Sequence, residues 1–235
     1  MKAIILMPTY NEAETLERTV SDVFSWVPDI DLLVIDDNSP DGTGAIADRL
    51  ALQNPKISVL HRHKKCGLGD AYIAGFMQCL ELGYTHLIEM DADGSHRAED
   101  LKKLLAVATE ADLIIGSRWI SGGEVANWSK MRQAISRTGN RYAAWALRSK
   151  VHDLTSGFRI YSADLLRKLP LTKMQAHGYA FQVEMTHRAE LLGAEIVEVP
   201  IRFVEREGGV SKMNFWIVVE AFLLCSIWGI FRPRR

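Results

Sequence analysis

Cysteine is scarce in this chain and shows no pairing pattern. Cys66, Cys79 and Cys225 are odd in number and contain no Cys-x-x-Cys spacing, which argues against a disulfide scaffold, a zinc knuckle and a dithiol redox centre. Surplus positive charge is also missing. With a formal net charge of −1, no bulk field recruits a nucleic acid polymer, so any phosphate recognition must rest on locally placed Arg and Lys. Glycine-rich phosphate cradles are absent too: the first apolar run leads into Pro8-Thr9-Tyr10-Asn11-Glu12, not Gly-x-Gly-x-x-Gly, and there is no P-loop. The opening Met1 to Pro8 is too short for a secretory signal. These absences together set the expectation of a reducing, cytoplasmic setting.

What is present is an alternation of short β-type runs and amphipathic helical ones. Strands are predicted at Ala3 to Met7, Leu32 to Ile35, Ile57 to Leu60, Thr85 to Met90 and Leu113 to Gly116. Between them lie helices carrying Leu16, Val20 and Val23, then Ile46 and Leu50, then Ile73, Phe76 and Leu80, and a fourth near Asp100 to Thr109. This rhythm predicts an α/β fold of Rossmann-like type, a mostly parallel sheet with helices on both faces.

Polar clusters follow four of those strands: Thr9 to Glu12, Asp36 to Asp41, Lys64 to Asp70 and Asp91 to Ser95. Ligands of open parallel sheets bind outside the carboxyl ends of the strands, so the four clusters are expected to share one edge. The last cluster carries two carboxylates at i and i+2, Asp91 and Asp93, which in extended chain point to one side and offer hard oxygens to a divalent cation. An acidic loop closing a buried strand is the competing reading of that fragment.

Pro8-Thr9-Tyr10-Asn11-Glu12, Val34 to Thr43, Gly67-Leu68-Gly69, Met90 to His96, Asp153 to Arg159 and Val204 to Lys212, in that order, resemble the motifs of family-2 glycosyltransferases of the GT-A fold. Within that family the resemblance is nearest to dolichyl- or polyprenyl-phosphate mannose synthases. It implies inverting transfer of mannose from GDP-mannose to a polyprenyl (dolichyl) phosphate, assisted by Mg²⁺ or Mn²⁺. For the donor nucleotide it implies contacts from Pro8, Tyr10, Glu12, Asp37, Asp70, Asp91, Ala92 and Asp93. Chemically, Tyr10 offers an aromatic face to a base, and Glu12 and Asp37 offer acceptors to base N–H or ribose hydroxyl groups. Glu12 equally suits the positive end of the first helix, and Asp36, Asp37 and Asp41 equally suit turns and caps.

The metal is expected on Asp91 and Asp93, with Ser95 as a further ligand. A lone His96 beside that loop reads as a structural hydrogen-bonding partner. A lipid phosphate is ionised at neutral pH and needs orientation and charge screening more than a base. The resemblance assigns that screening to Arg118, Arg132, Ser136, Arg206 and Lys212, and arginine's planar fork suits phosphate oxygens. Asp91, Asp93, Arg118 and Asp153 form the expected catalytic group. Asp153 is open between a base, a partner for Arg159 and a turn cap.

Residues 1–212 are expected to form the GT-A domain, with 1–116 holding the nucleotide sugar and 117–212 the acceptor. Between Ser117 and Lys150, Trp119, Trp128, Trp145 and several basic side chains mix in the manner of a membrane-contacting helix, or of an ordinary packing layer. The run from Phe215 to Phe231, interrupted by Glu220 and followed by Arg232-Pro233-Arg234-Arg235, falls short of the ~20 residues of a comfortable span. Residues 213–235 are therefore expected to lie in a membrane interface, peripheral or monotopic on the cytoplasmic face, with a docked core helix or a homodimer contact as the rival. Two other functions stay open: transfer of glucose or another sugar from a UDP-sugar, and a catalytically silent nucleotide-sugar-binding or scaffold subunit.

Overall fold

The computed structural model describes residues 1–176, 178, 180–205 and 215–230, the side chains of the last stretch from Phe222 onward. Four β-α units open the chain. Strands β1 (Ala3–Thr9), β2 (Asp31–Asp36), β3 (Ile57–His61) and β4 (His86–Glu89) alternate with helices α1 (Leu16–Trp26), α2 (Thr43–Gln53), α3 (Leu68–Glu81) and α4 (Ala98–Ala106). All four strands run parallel, so the loops after them emerge on one edge of the sheet. The shared edge expected for the polar clusters is present.

After β5 (Leu113–Ser117) the pattern changes. A short β6 (Glu124–Ala126) and the long helix α5 (Lys130–Leu147) precede β7 (Arg159–Ser162), α6 (Ala163–Lys168), α7 (Ala180–Leu191), β8 (Ile196–Pro200), β9 (Arg202–Val204) and α8 (Phe215–Ile230). The main sheet has the order β3-β2-β1-β4-β7-β5-β8, and β6 pairs with β9 in a separate ribbon. β7 is antiparallel to both β4 and β5. Its insertion between them means that the stretches 1–116 and 117–212 build one continuous sheet.

Alternation along the strands divides the core between the two faces of that sheet. Ile4, Leu6, Leu33 and Ile35 join Tyr72 and Phe76 of α3, Leu147 of α5 and Phe181 of α7. Ile5, Met7, Leu32 and Val34 join Leu16, Val20 and Val23 of α1, Ala47 of α2 and Leu101 and Leu104 of α4. Helix α3 lies so close to the sheet that a Cβ at Gly75 would stand 2.5 Å from Leu6 and 2.6 Å from Ile35. That contact fixes the helix which starts at the β3 loop.

Among the described residues no helix is long and apolar enough to cross a membrane. Helix α8 docks on α5 and α7: Phe222 stacks on Tyr142 at 4.2 Å, Ser226 Oγ lies 2.7 Å from the Tyr142 hydroxyl, and Trp228 Nε1 donates to Gln175 at 2.9 Å. The docked-helix alternative is thus seen directly. The pair leaves Phe222, Leu223, Ile227 and Ile230 of α8, and Met131, Ile135 and Trp145 of α5, exposed.

Candidate functional site

The loops after β1 and β2 are stitched into a single ledge. Asp37 N–H donates to the Thr9 carbonyl, Asn11 N–H to Ser39 Oγ, Glu12 N–H to Thr43 Oγ1 and Ala13 N–H to Asp41. Asp36 and Asp41 are structural here. Buried Asp36 accepts from Thr9 and from the hydroxyl and N–H of Ser39. At Asp41, burial would raise the carboxyl, but hydrogen bonds from Thr43 and Ala13 hold it below its usual range. Their turn-and-cap reading is the correct one.

Asp37 differs. It is buried at the ledge and pairs with Arg62 Nη1 at 2.6 Å, a residue that follows β3. Burial raises its carboxyl, with Arg62 opposing. Pro8, next to last in β1, is half-buried, as is Tyr10, whose ring carries the Lys65 ammonium 3.9 Å from its centroid. Asp70 sits in the first turn of α3. The β3 loop therefore contributes two cations, Arg62 and Lys65, that the sequence reading did not single out. Their position in the Arg62-His63-Lys64-Lys65 run was the available signal.

Asp91 and Asp93 follow β4 as expected, half-buried, with Ala92 buried between them. Ser95 N–H donates to Asp93 Oδ1 at 3.0 Å, and Asp91 N–H donates to His96 Nδ1 at 3.0 Å. Because His96 Nδ1 accepts, a neutral ring carries its proton on Nε2, 3.8 Å from Asp91 Oδ2. Burial pushes the His96 imidazole down to about 4, keeping it neutral. Its ring stacks on Phe158 at 4.8 Å and meets Phe203 edge-on at 5.6 Å. Beneath lies Glu89, fully buried, receiving Gln182 Nε2 at 2.7 Å and driven by burial up to about 8.

Among the described residues no group of three His, Cys, Asp or Glu side chains is disposed to hold a metal. Two carboxylates with a neighbouring hydroxyl match a hard cation that takes its remaining oxygens from a bound diphosphate and water. Ser95 Oγ strengthens the fit: it is buried and lacks a hydrogen-bond partner among the described residues.

Of the residues expected on the acceptor side, Arg118 and Asp153 lie on the other side of His96. Arg118, just past β5, is buried against Asp153 and lies 5.4 to 5.7 Å from the rings of Phe203, Trp119 and Trp128. Asp153 engages Nε and Nη2, and Thr155 Oγ1 also receives Nη2, so Nη1 is the guanidinium nitrogen without a partner among the described residues. Asp153 is committed to Arg118: despite its burial, the Arg118 charge and hydrogen bonds hold its carboxyl below the usual range. It does not hydrogen-bond Arg159. That guanidinium is fully buried on the carbonyls of Leu154, Ser156 and Gln182 and the hydroxyls of Tyr161 and Thr186, tying the 153–157 loop down.

Arg132, at the start of α5, pairs with Glu205 at 2.5 Å and lies 4.0 Å over Trp128. Ser136, one turn on, is half-buried and gives its carbonyl to Asn140. Asn140, missed in the sequence, also joins Thr155 through both amide atoms. Arg206 and Lys212 fall outside the described residues. A cavity of about 430 Å³ between Thr85, Asp112, Ser162 and Glu195 lies at the amino-terminal edge of β4 and β5, away from all of these groups.

Comparison with known proteins gives a consistent set of relatives. The model of "Glycosyl transferase family 2" matches residues 4–170. An undecaprenyl-phosphate mannosyltransferase of Micrococcus luteus is 50% identical over 230 residues, covering 98% of this chain and 95% of the relative. A polyprenol monophosphomannose synthase of Mycolicibacterium smegmatis is 48% identical over 231 residues, covering 97% and 87%. Among solved structures, glucosyl-3-phosphoglycerate synthase from Mycobacterium tuberculosis, bound to Mn²⁺, UDP-glucose and phosphoglyceric acid, superposes with a TM-score of 0.73 at 18% identity, covering 99% of this chain and 81% of that one. A mannosyltransferase from Pyrobaculum calidifontis in complex with GDP-mannose and Mn²⁺ gives 0.63 at 14% identity, covering 100% and 65%. At such identities the two structures establish a shared fold.

Proposed function

The chain belongs to glycosyltransferase family 2, and on that footing we propose that it transfers mannose from GDP-mannose to a polyprenyl (dolichyl) phosphate with inversion at the anomeric carbon. The observation that carries this reading is the placement of buried His96 between two sites of opposite charge: the Asp91/Asp93 loop on one side and Arg118 with its aromatic surround on the other. One site suits a cation-bound diphosphate, the other an anionic acceptor. The names of the half-identical relatives support mannose and a polyprenyl acceptor.

Asp91, Asp93 and Ser95 would hold Mg²⁺ or Mn²⁺, which as a Lewis acid stabilises charge on the departing nucleoside diphosphate. Tyr10, Glu12, Asp37 and Asp70 face the nucleoside, with Pro8 and Ala92 shaping the floor. A lipid phosphate oxygen forms the new bond to C1 as the C1–O bond to the diphosphate breaks. No proton is removed from that nucleophile, which fits an Asp153 committed to Arg118. Arg118 Nη1, Arg132, Ser136, Arg206 and Lys212 orient the phosphate and screen its charge.

We also place the protein peripherally on the cytoplasmic face of a membrane. Support comes from the exposed apolar flank of α5 and α8, beside exposed Lys130, Arg137 and Arg141 on α5. Those three charges recur at helical spacing and so form one stripe, a pattern suited to anionic headgroups. Three free thiols, Cys66, Cys79 and Cys225, suit a reducing compartment. The deciding experiment incubates purified protein with radiolabelled GDP-mannose, GDP-fucose or UDP-glucose, polyprenyl phosphate and Mn²⁺ or Mg²⁺. Lipid-linked mannose from GDP-mannose is the expected product; label transferred only from UDP-glucose, or from no donor, overturns the reading.

A further inference from the structure

The Asp91-Ala92-Asp93 loop is tethered to a helix outside the site. Thr19, on the buried face of α1 and 3% exposed, donates its hydroxyl to the carbonyl of Ala92 at 3.0 Å. Ala92 is the residue between the two carboxylates, so the peptide that sets their relative orientation has its oxygen held from behind. The same helix packs under the next residue. Gly94 adopts φ +75°, and a Cβ there would stand 3.2 Å from Arg18 Nη2 and 3.9 Å from Thr19 Oγ1. The left-handed backbone at Gly94 favours a residue without a Cβ, and it brings the loop against the α1 side chains.

Other tethers act elsewhere in the loop: Ser95 N–H donates to Asp93, Asp91 N–H to His96, and the Val204 N–H of β9 to the Ser95 carbonyl. Thr19 supplies the hydrogen bond from α1 to the peptide between the two carboxylates. It sits in the helix that follows the Tyr10–Glu12 ledge, anchored by Leu16, Val20 and Val23 in the core. We infer that Thr19 is a positioning residue: its hydroxyl fixes the Ala92 peptide so that the Asp91 and Asp93 carboxylates are presented together to the cation. Without that donor the buried carbonyl is left unsatisfied, and the loop gains a reason to turn it elsewhere. Outer tethers of this kind set metal affinity without touching the metal.

This inference rests on the metal reading proposed above, and two measurements keep them separable. In metal-free protein, amide hydrogen exchange at residues 91–96 is expected to quicken about 10-fold in Thr19→Val and to stay near wild type in Thr19→Ser, with β1 and α3 amides unchanged in both. In a Mn²⁺ titration followed by electron paramagnetic resonance with GDP present, Thr19→Val is expected to weaken binding about 10-fold and Thr19→Ser much less. Should Thr19→Val fail to fold, Thr19→Ala against Thr19→Ser isolates the hydroxyl. Unchanged loop exchange and unchanged Mn²⁺ affinity in the variant lacking the hydroxyl overturn the inference. Uptake of no Mn²⁺ by the wild type overturns the metal reading, and loop exchange then decides the role of Thr19 by itself.

Discussion

Asp153 holds Arg118 from three directions, Oδ2 accepting from its backbone N–H at 2.9 Å and Nε at 2.7 Å while Oδ1 accepts Nη2 at 2.7 Å. The pair is almost entirely buried, so breaking it strands a charge. Asp153→Asn is expected to lower unfolding stability at pH 7 by about 3 kcal/mol. Because the folded carboxyl lies below its usual 3.8, its contribution is complete above that value and is lost as pH falls through the lowered one. Urea unfolding from pH 7 down to pH 3 checks this: the gap between wild type and variant should hold to about pH 4 and narrow below. A gap that closes already between pH 6 and 5 contradicts the assignment.

The carboxylate pair makes a different prediction, because Asp91 and Asp93 are half-buried at a loop and carry little of the core. Asp91→Asn or Asp93→Asn should cut transfer by roughly 10³-fold, the scale of losing a strong electrostatic contact to a leaving group, while the melting temperature stays within a few degrees of wild type. Full activity in either variant would falsify the metal assignment.

Arg132 is held by Glu205 in the free protein, and an acceptor phosphate must compete with that carboxylate. The pair is partly exposed, so its strength is modest. Glu205→Gln should therefore lower the acceptor KM by about 2- to 5-fold, whereas Arg132→Ala raises it by about 10-fold, as expected for loss of a charge-assisted phosphate contact. Steady-state kinetics with varied polyprenyl phosphate separates the two, and an increased KM in Glu205→Gln would place Glu205 on the acceptor's side.

The β-α rhythm and the single polar edge were legible because each parallel strand is a short apolar run ending in turn residues, as at Leu32 to Asp37. β7 was not: Arg159-Ile160-Tyr161-Ser162 is brief and begins with a charged residue that only the fold buries. Helix α7 hides for a similar reason. It buries Gln182, Glu184, Thr186 and His187 along with its apolar residues, so no single apolar stripe marks it. At the site, individual candidates were visible but their pairings were not. Arg118 with Asp153, Asp37 with Arg62 and Thr19 with Ala92 are separated by 35, 25 and 73 residues, and no local pattern encodes contacts at that range.

Cys66 offers a reporter of donor binding. Its thiol is exposed, while Cys79 and Cys225 are buried, with burial pushing Cys79 up to about 12 and Cys225 to about 11. Its backbone N–H also hydrogen-bonds the Asp37 carboxylate. Iodoacetamide should modify one thiol in the native protein and three after unfolding. GDP with Mn²⁺ should slow the native reaction by about 10-fold if the Tyr10–Asp37 ledge takes the nucleoside, since labelling follows access. Mass spectrometry of the labelled peptides reads both results, and equal labelling with and without GDP argues against this ledge as the nucleoside site.

The proposed membrane face rests on exposed side chains of α5 and α8 rather than on the aromatic content of the sequence. Trp128 stood out in the sequence, yet it is only half-exposed, with Arg132 over its ring and Phe203 against its edge. Trp145 is 76% exposed and Met131 71%. With Ile135 they lie along one stripe of α5, flanked by the α8 side chains that the docking leaves uncovered. Met131→Ser, Ile135→Ser and Trp145→Ser in one chain should change folding stability little, since exposed positions contribute within about 0.5 kcal/mol each. Partition onto anionic vesicles should nevertheless fall by at least about 10-fold, because burial of apolar area drives interfacial binding. Turnover of a short, water-soluble acceptor phosphate is expected to persist, because none of the three touches Arg118 or Arg132 through an observed contact. Vesicle binding that survives the triple substitution would mean that this stripe is not the face turned to the bilayer.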